Sequence, residues 1–265
     1  MDMKPSMERI MIERDGPIAI VRLNRPEVLN AIDQAMWQAL LAAFEGLRDE
    51  RDIRVCLVTG NGRGFCSGAD LKETAWKVET EEQSKTRIDT HHQELARAIV
   101  GLPVPVIACI NGYALGGGLE IALAADIRIA STEAKFGFPE AAIGRFITGG
   151  ASLLLQRAIG PSRAKLLLYT SDHIGADDAL SIGLVDEVAE PQDLLKRAKA
   201  IANRIVNSAP HSIQMMKRAL DEIALTNFEE VLSKETEALV ATYGYPEIED
   251  AAGAFTHRRS RSQKE

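Results

Sequence analysis

Two glutamates stand where a carboxylate has to be used or paired. Glu120 lies about one turn into a stretch that opens Gly116-Gly117-Gly118 and is otherwise apolar (Leu119, Ile121, Ala122, Leu123). Glu140 follows Phe136-Gly137-Phe138-Pro139, again among apolar neighbours. Burial raises a carboxyl pKa, which suits such groups to general acid or base work. Taken singly, a glutamate in such a place is more often a helix cap or half of an ion pair.

The second chemical ingredient is glycine. The segments Gly60-Asn61-Gly62-Arg63-Gly64-Phe65-Cys66-Ser67-Gly68-Ala69-Asp70-Leu71 and Asn111 to Glu120 each follow a predicted strand and run into a predicted helix. Glycine allows positive φ and close approach to a ligand. A helix start offers free N–H groups and the positive end of its dipole. Two such starts facing one another could hold an oxygen that becomes an oxyanion. Glycine loops alone are more often tight turns. Neither segment contains G-x-G-x-x-G, which removes the dinucleotide reading. Ser67 is out of phase for a nucleophile elbow. His91 and His92 are adjacent and point apart on a helix, and no H-x-x-x-H or C-x-x-C occurs, so no metal site is expected. Cys66 has no identifiable histidine partner and reads as a packed thiol.

The elements that must position these groups alternate. Glu8 to Arg14 and Ile18 to Leu23 read as a hairpin around Asp15-Gly16-Pro17. Met36, Leu40, Phe44 and Leu47 share one face of a helix from about Asp33 to Leu47, with Asn30 or Asp33 as its cap. Val55 to Thr59, Val104 to Ile110 and Asp126 to Ala130 are short apolar runs, as in strands buried on both faces. Strand–helix alternation predicts an α/β fold with a largely parallel sheet. Glu73 to Thr90 is charged and without a period, and is expected to be a mobile surface helix or loop. After Gly150 the chain turns helical, over 151–159, 162–169, 177–181, 193–206, 210–225 and 228–242. One strand, Leu184 to Val188, interrupts the series. The end, His257 to Ser262, is basic.

The bulk composition bounds the rest. A formal net charge of -7 argues against a nucleic-acid surface. Three cysteines, Cys56, Cys66 and Cys109, beside apolar runs read as reduced thiols. No apolar stretch approaches the roughly 18 residues of a membrane span, and the N-terminus carries no targeting pattern. A cytoplasmic enzyme is the expectation.

Taken together, the segments resemble the enoyl-CoA hydratase/isomerase (crotonase) family along nearly the whole chain. The resemblance rests on Leu23-Asn24-Arg25-Pro26 with Leu29-Asn30-Ala31, on Phe65 to Leu71, on Asn111 to Glu120 and on Phe136 to Glu140. Ala176 to Val185, and Glu249-Asp250-Ala251 with Phe255, complete it. It implies a spiral of ββα repeats over residues 1–200 and a helical region over 201–265 that builds a homotrimer or a dimer of trimers. It implies an acyl-CoA substrate whose carbonyl oxygen accepts N–H bonds from Ala69 and Gly117. Gly68, Asp70, Leu71, Lys72 and Gly116 would line the substrate, although Lys72 on a solvated helix face reads equally well. By analogy Glu120 activates water and Glu140 supplies a proton. Hydration needs one proton removed and one delivered, so two glutamates favour a hydratase. The alternatives are a Δ3–Δ2 isomerase, another acyl-CoA lyase or hydrolase, and, further off, an RNA-binding homologue. No metal or redox cofactor is implied, because water and a proton suffice.

One segment departs from the pattern. The family's Ile-Pro-Gly-x-Gly-Gly-Thr-Gln-Arg is replaced by Phe146-Ile147-Thr148-Gly149-Gly150-Ala151-Ser152-Leu153-Leu154, which loses the proline and the Gln-Arg pair. Arg145 either folds back to Glu140 or stays solvated.

Overall fold

The computed structural model describes residues 9–74 and 80–243. Trp76, the signature at Glu249-Asp250-Ala251 and Phe255, and the basic tail lie outside them.

The N-terminal hairpin consists of β1 (Ile10–Asp15) and β2 (Ile18–Leu23), with Asp15 opposite Ile18 across Gly16-Pro17. Helix α1 (Gln34–Asp49) buries Met36, Leu40, Phe44 and Leu47, as their spacing predicts, and Trp37 beside them. Its cap is Asp33, whose carboxylate accepts the Met36 N–H at 2.8 Å. The other candidate cap, Asn30, does different work. It is fully buried at φ 56°, in the left-handed region that asparagine tolerates better than most residues. Its Oδ1 accepts the Arg25 N–H, and its Nδ2 donates towards the carbonyls of Asn61, Gly64 and Phe65. One side chain therefore joins the turn after β2 to the first glycine-rich segment.

A strand–strand–helix pattern then repeats. The first unit is β3 (Val55–Gly60), β4 (Gly64–Cys66), and the helices α2 (Leu71–Thr74), α3 (Glu81–Ile88) and α4 (Glu94–Val100). The second is β5 (Val106–Ile110), β6 (Tyr113–Leu115) and α5 (Gly117–Ala124). The third opens with β7 (Ile127–Ser131) and β8 (Lys135–Gly137) and continues into α6 (Ala151–Ile159) and α7 (Pro161–Thr170). After β9 (Ile174–Gly175), α8 (Ala176–Ser181) and β10 (Glu187–Ala189) come three long helices, α9 (Leu194–Val206), α10 (Pro210–Ala224) and α11 (Phe228–Thr242).

The first strand of each unit enters a six-stranded sheet, ordered β1-β2-β3-β5-β7-β10 and parallel from β2 onwards. The second strand enters a four-stranded sheet, ordered β4-β6-β8-β9. The large sheet is covered on both faces. Ile18, Ile20, Val55, Leu57 and Ile107 pack against Leu194, Ala198 and Ala202 of α9. The opposite face packs on α1, α4 and α5.

The small sheet was hidden in the sequence. Its strands are two or three residues long and glycine-rich, too short to show a period, so they read as loop. The described part of the region after Glu73 takes the helical one of the two forms expected of it. Glu81–Ile88 is a helix with a capping box, in which Thr80 and Gln83 exchange bonds, and a π turn over Asp89–Gln93 joins it to α4. Its caps specify it where its apolar pattern does not. The strand expected at Leu184 begins at Glu187 instead, because the Leu184 N–H closes the end of α8 on Ala179 O. All three cysteines are buried free thiols, as expected. Among the described residues no helix is long and apolar enough to cross a membrane.

Replacing Asn30 by alanine removes the donors to buried carbonyls and puts a Cβ-bearing residue without a polar side chain at positive φ. Asn30→Ala is expected to cost about 2–4 kcal/mol in urea melts. A loss under about 0.5 kcal/mol, the range of an ordinary surface substitution, would show that the other contacts hold the turn without it.

Candidate active site

Because β4, β6 and β8 are parallel neighbours, with Gly64 opposite Tyr113 and Leu115 opposite Gly137, their C-terminal ends lie side by side. From those three ends the chain runs directly into Ala69, Gly117 and Glu140. Two glycines let the exits converge. Gly68 sits at φ +87°, and a Cβ there would stand 2.8 Å from the Leu115 carbonyl. Gly116 sits at φ +49°, and a Cβ there would overlap the Glu140 carboxylate.

Both expected donors face the space between these exits. Ile32 donates to Gly68 O at 2.8 Å and accepts from Asp70 N at 2.9 Å, a parallel bridge that leaves the intervening Ala69 N–H pointing away from it. Gly117 is the first residue of α5, so its N–H has no acceptor inside the helix. No described residue accepts from either group. A Cβ on Gly117 would stand 3.8 Å from Ala69 N and equally 3.8 Å from Glu120 Oε2, so one small volume touches donor and carboxylate together.

The two glutamates differ in their surroundings. Glu120 is buried in the first turn of α5, and both its oxygens are occupied: Oε1 accepts the Thr148 N–H at 2.7 Å and Oε2 the Thr148 hydroxyl at 2.8 Å. Burial pushes its pKa up to about 7 against the pull of those bonds. Glu140 is partly buried, yet its Oε2 is shut from solvent and has no hydrogen-bond partner among the described residues. Burial, and then the charge of Glu120, push it up to about 8. Two coupled carboxyls with unequal support tend to hold one proton between them, more often on the less supported Glu140.

Arg145 is half-buried: its backbone turns back to Glu140 while its side chain lies by Tyr243. Its N–H donates to Glu140 O at 2.8 Å, and its guanidinium lies 5.8 Å from the Tyr243 ring centroid. Its charge lowers the Glu140 pKa, though less than burial raises it. Among the predicted substrate-lining residues, Gly68 and Gly116 form the converging turns. The Asp70 carboxylate is held by Arg25 at 3.1 Å and caps the Lys72 N–H at 3.1 Å. Leu71 is half-buried and Lys72 exposed at the start of α2.

The segment that departs from the family pattern is gripped from three sides. Its consecutive N–H groups each meet a different buried acceptor: Thr148 N on Glu120, Gly149 N on Gln93 Oε1 at 2.9 Å, and Gly150 N on Glu235 Oε2 at 2.8 Å. Glu235 also takes the Ser152 N–H and hydroxyl. Sequence reasoning missed Thr148, Gln93 and Glu235, and set His92 aside. A signal for Glu235 was present, since it occupies the apolar stripe of α11 with Phe228, Leu232 and Leu239. A small pocket of about 10 Å³ opens beside Glu120 and Gly117, walled by Trp37, His92, Leu95 and Ile121. Cys66 is fully buried with a pKa raised by burial to about 12, which fits a packed thiol. No cluster of metal-ligating side chains occurs among the described residues.

Comparison with known proteins bears on the family and the fold. The family model described as enoyl-CoA hydratase/isomerase matches residues 13–264. A short-chain-enoyl-CoA hydratase of Clostridium acetobutylicum is 36% identical over 254 residues, covering 96% of each chain. The crystal structure of an enoyl-CoA hydratase from Bacillus halodurans superposes with a TM-score of 0.86 at 28% identity, covering 93% of this chain and 99% of that one. A monofunctional enoyl-CoA isomerase from M. smegmatis superposes at 0.69 with 33% identity, covering 82% and 94%.

The raised carboxyl pKa values carry a stability consequence of definite sign. An exposed glutamate in the unfolded chain titrates near 4.5, whereas folded Glu140 does so near 8. Between those values the folded state holds the extra proton, so stability falls as pH rises through the window. Glu140→Gln is expected to gain on wild type by on the order of 3–4 kcal/mol between pH 5 and pH 8. Urea melts at both pH values read the difference, in which any packing effect of the amide cancels. An equal gap at both pH values would place the folded pKa near the unfolded one.

Proposed function

We propose, for a chain that belongs to the enoyl-CoA hydratase/isomerase family, that it adds water across the double bond of a 2-enoyl-CoA to give a 3-hydroxyacyl-CoA. The observation that carries the reading is the unequal pair of buried carboxyls at the turn that also presents two free N–H groups. Attack of water on C3 drives negative charge onto the thioester oxygen. The N–H groups of Ala69 and Gly117 meet that oxygen, and losing one such donor typically costs about 3 kcal/mol.

Glu120, kept ionised by the two Thr148 bonds, takes a proton from water as the C3–O bond forms. Glu140, kept protonated by burial and by the charge of Glu120, gives its proton to C2. The proton books then balance, with the proton abstracted by Glu120 replacing the one delivered by Glu140. Both carboxyls also orient the water, so the division is one of emphasis. The thioester end of the acyl group approaches the small pocket beside Glu120, with Gly68, Gly116 and Leu71 along its path. Lys72 faces the solvent side, where the CoA phosphates would lie.

One observation favours a second reading. Both Glu120 oxygens are already engaged, whereas Glu140 has an unpartnered oxygen. A single mobile carboxyl is what a Δ3–Δ2 isomerase needs. The exposed face of α10 supports the assembly reading, a trimer or a dimer of trimers. No residue of α10 is buried, and Met215, Met216, Leu220 and Ile223 are exposed.

Turnover of a short 2-enoyl-CoA by wild type, Glu120→Gln and Glu140→Gln, with products identified, tests the chemistry. Wild type is expected to form 3-hydroxyacyl-CoA, and each variant to lose roughly 10²–10⁴-fold in kcat. Conversion of a 3-enoyl-CoA that survives Glu120→Gln but not Glu140→Gln would favour the isomerase. Sedimentation at micromolar concentration is expected to give a trimer or larger, which Ile223→Lys with Met216→Lys dissociates. A monomeric wild type would refute the assembly.

A further inference from the structure

The Glu120 carboxylate is the inner end of a hydrogen-bonded chain. Thr148 Oγ1 lies 2.8 Å from Glu120 Oε2 and 3.1 Å from His92 Nδ1. The His92 ring is stacked on Trp37, with centroids 4.5 Å apart and planes 29° off parallel. His92 itself sits in the π turn between α3 and α4, the kind of one-residue bulge that re-aims side chains in a helix. The bulge sets the ring, and Trp37 from α1 holds it.

The donor directions in this chain follow from the chemistry of its members. An ionised carboxylate only accepts, so the Thr148 O–H must point at Glu120. Thr148 Oγ1 is then left as acceptor, and His92 must present Nδ1–H to it. Burial pushes the His92 pKa down to about 3, so the ring stays neutral and one tautomer serves. Once Glu120 gains a proton, it can donate to Thr148 Oγ1, whose hydrogen then turns to His92 Nδ1 in the other tautomer. The direction of the chain and the charge of Glu120 are therefore coupled.

We infer that Thr148 and His92 are positioning residues for Glu120: His92 orients the Thr148 hydroxyl, and that hydroxyl holds the carboxylate in its proton-accepting form. Neither touches the reacting atoms. The inference rests on the proposed role of Glu120 as base. It also gives the departure from the family pattern a chemical content, because Thr148 lies in the altered segment.

Other charges reach the same group. Glu120 feels Glu235 from α11, Glu140 from the turn after β8 and the Cys66 thiol of β4. His92 feels Arg87 of α3, His91 of its own turn and Arg145. Substituting Thr148 removes a hydrogen bond while leaving each of these charges in the chain. A shift on that substitution is therefore assigned to the hydroxyl.

The test is the pH dependence of kcat/KM on a 2-enoyl-CoA for Thr148→Val, Thr148→Ser, His92→Leu and His92→Asn. Loss of a hydrogen bond to the charged form raises the pKa of the base, so the acidic limb moves to higher pH. Thr148→Val is expected to move it up by about one unit, with kcat falling more than KM changes. Thr148→Ser restores the hydroxyl and returns the limb towards its wild-type position. His92→Leu moves the limb the same way by less, and His92→Asn, whose amide can stand in for Nδ1–H, recovers most of that. An unmoved limb in Thr148→Val, whatever the drop in rate, would overturn the inference.

An infrared titration of the Glu120 carboxyl, identified by difference against Glu120→Gln, reads the same shift without turnover. Should wild type hydrate no enoyl-CoA while Thr148→Val still raises the carboxyl pKa, the positioning contact stands and the hydratase reading fails. No shift by infrared refutes the contact itself.

Discussion

Everything at the site depends on the parallel pairing of three very short strands. β4, β6 and β8 contribute three residues each, and a backbone hydrogen bond contributes only about 1 kcal/mol net. Such a sheet has no independent stability. It persists because each of its strands is tied by a few residues to a strand of the large sheet, whose two apolar faces are buried. The large sheet thus sets the spacing and order of the small one. The small sheet in turn delivers two backbone donors and one carboxyl to a single place, with Glu120 arriving one turn later on α5.

The electrostatics of that place are a balance between burial and hydrogen bonding. Burial raises both carboxyls, and without further support neither would ionise near neutral pH. Two donors from Thr148 pull Glu120 back, while the buried oxygen of Glu140 receives none. The difference in support comes from one loop. That loop lacks the proline of the family pattern it is compared with, and the three buried acceptors Glu120, Gln93 and Glu235 hold its backbone. Rigidity that proline would supply by restricting φ is supplied here by hydrogen bonds from three different helical segments.

The parts of this arrangement legible in the sequence were those with local signatures. The apolar spacing of Met36, Leu40, Phe44 and Leu47 marks α1, and the unbroken run at Val55 marks a buried strand. Glu120 stood out as a charge in an apolar stretch following three glycines. What escaped notice had no local signature. A three-residue strand is shorter than any period, and Asn30 looks like a cap until its carbonyl partners are known. Gln93 and Glu235 look like ordinary polar residues until the fold brings Gly149 and Gly150 to them. His92 reads only as half of a poor metal pair, because adjacency in sequence says nothing about a hydroxyl far along the chain. The charged run after Glu73 leaves helix and loop open for a related reason: its helix is specified at its start by Thr80 and Gln83.

Glu235 gives the fold a direction in time. It reaches back from α11, near the end of the described chain, to fasten Gly150 and Ser152. A chain growing from its N-terminus therefore assembles both sheets, both glutamates and both backbone donors before it acquires the clasp on the loop that supports Glu120. On a ribosome, such a nascent chain would be architecturally recognisable while the Glu120 carboxylate was still loosely held. The last clasp on this loop is thus among the last parts of the described chain to be translated.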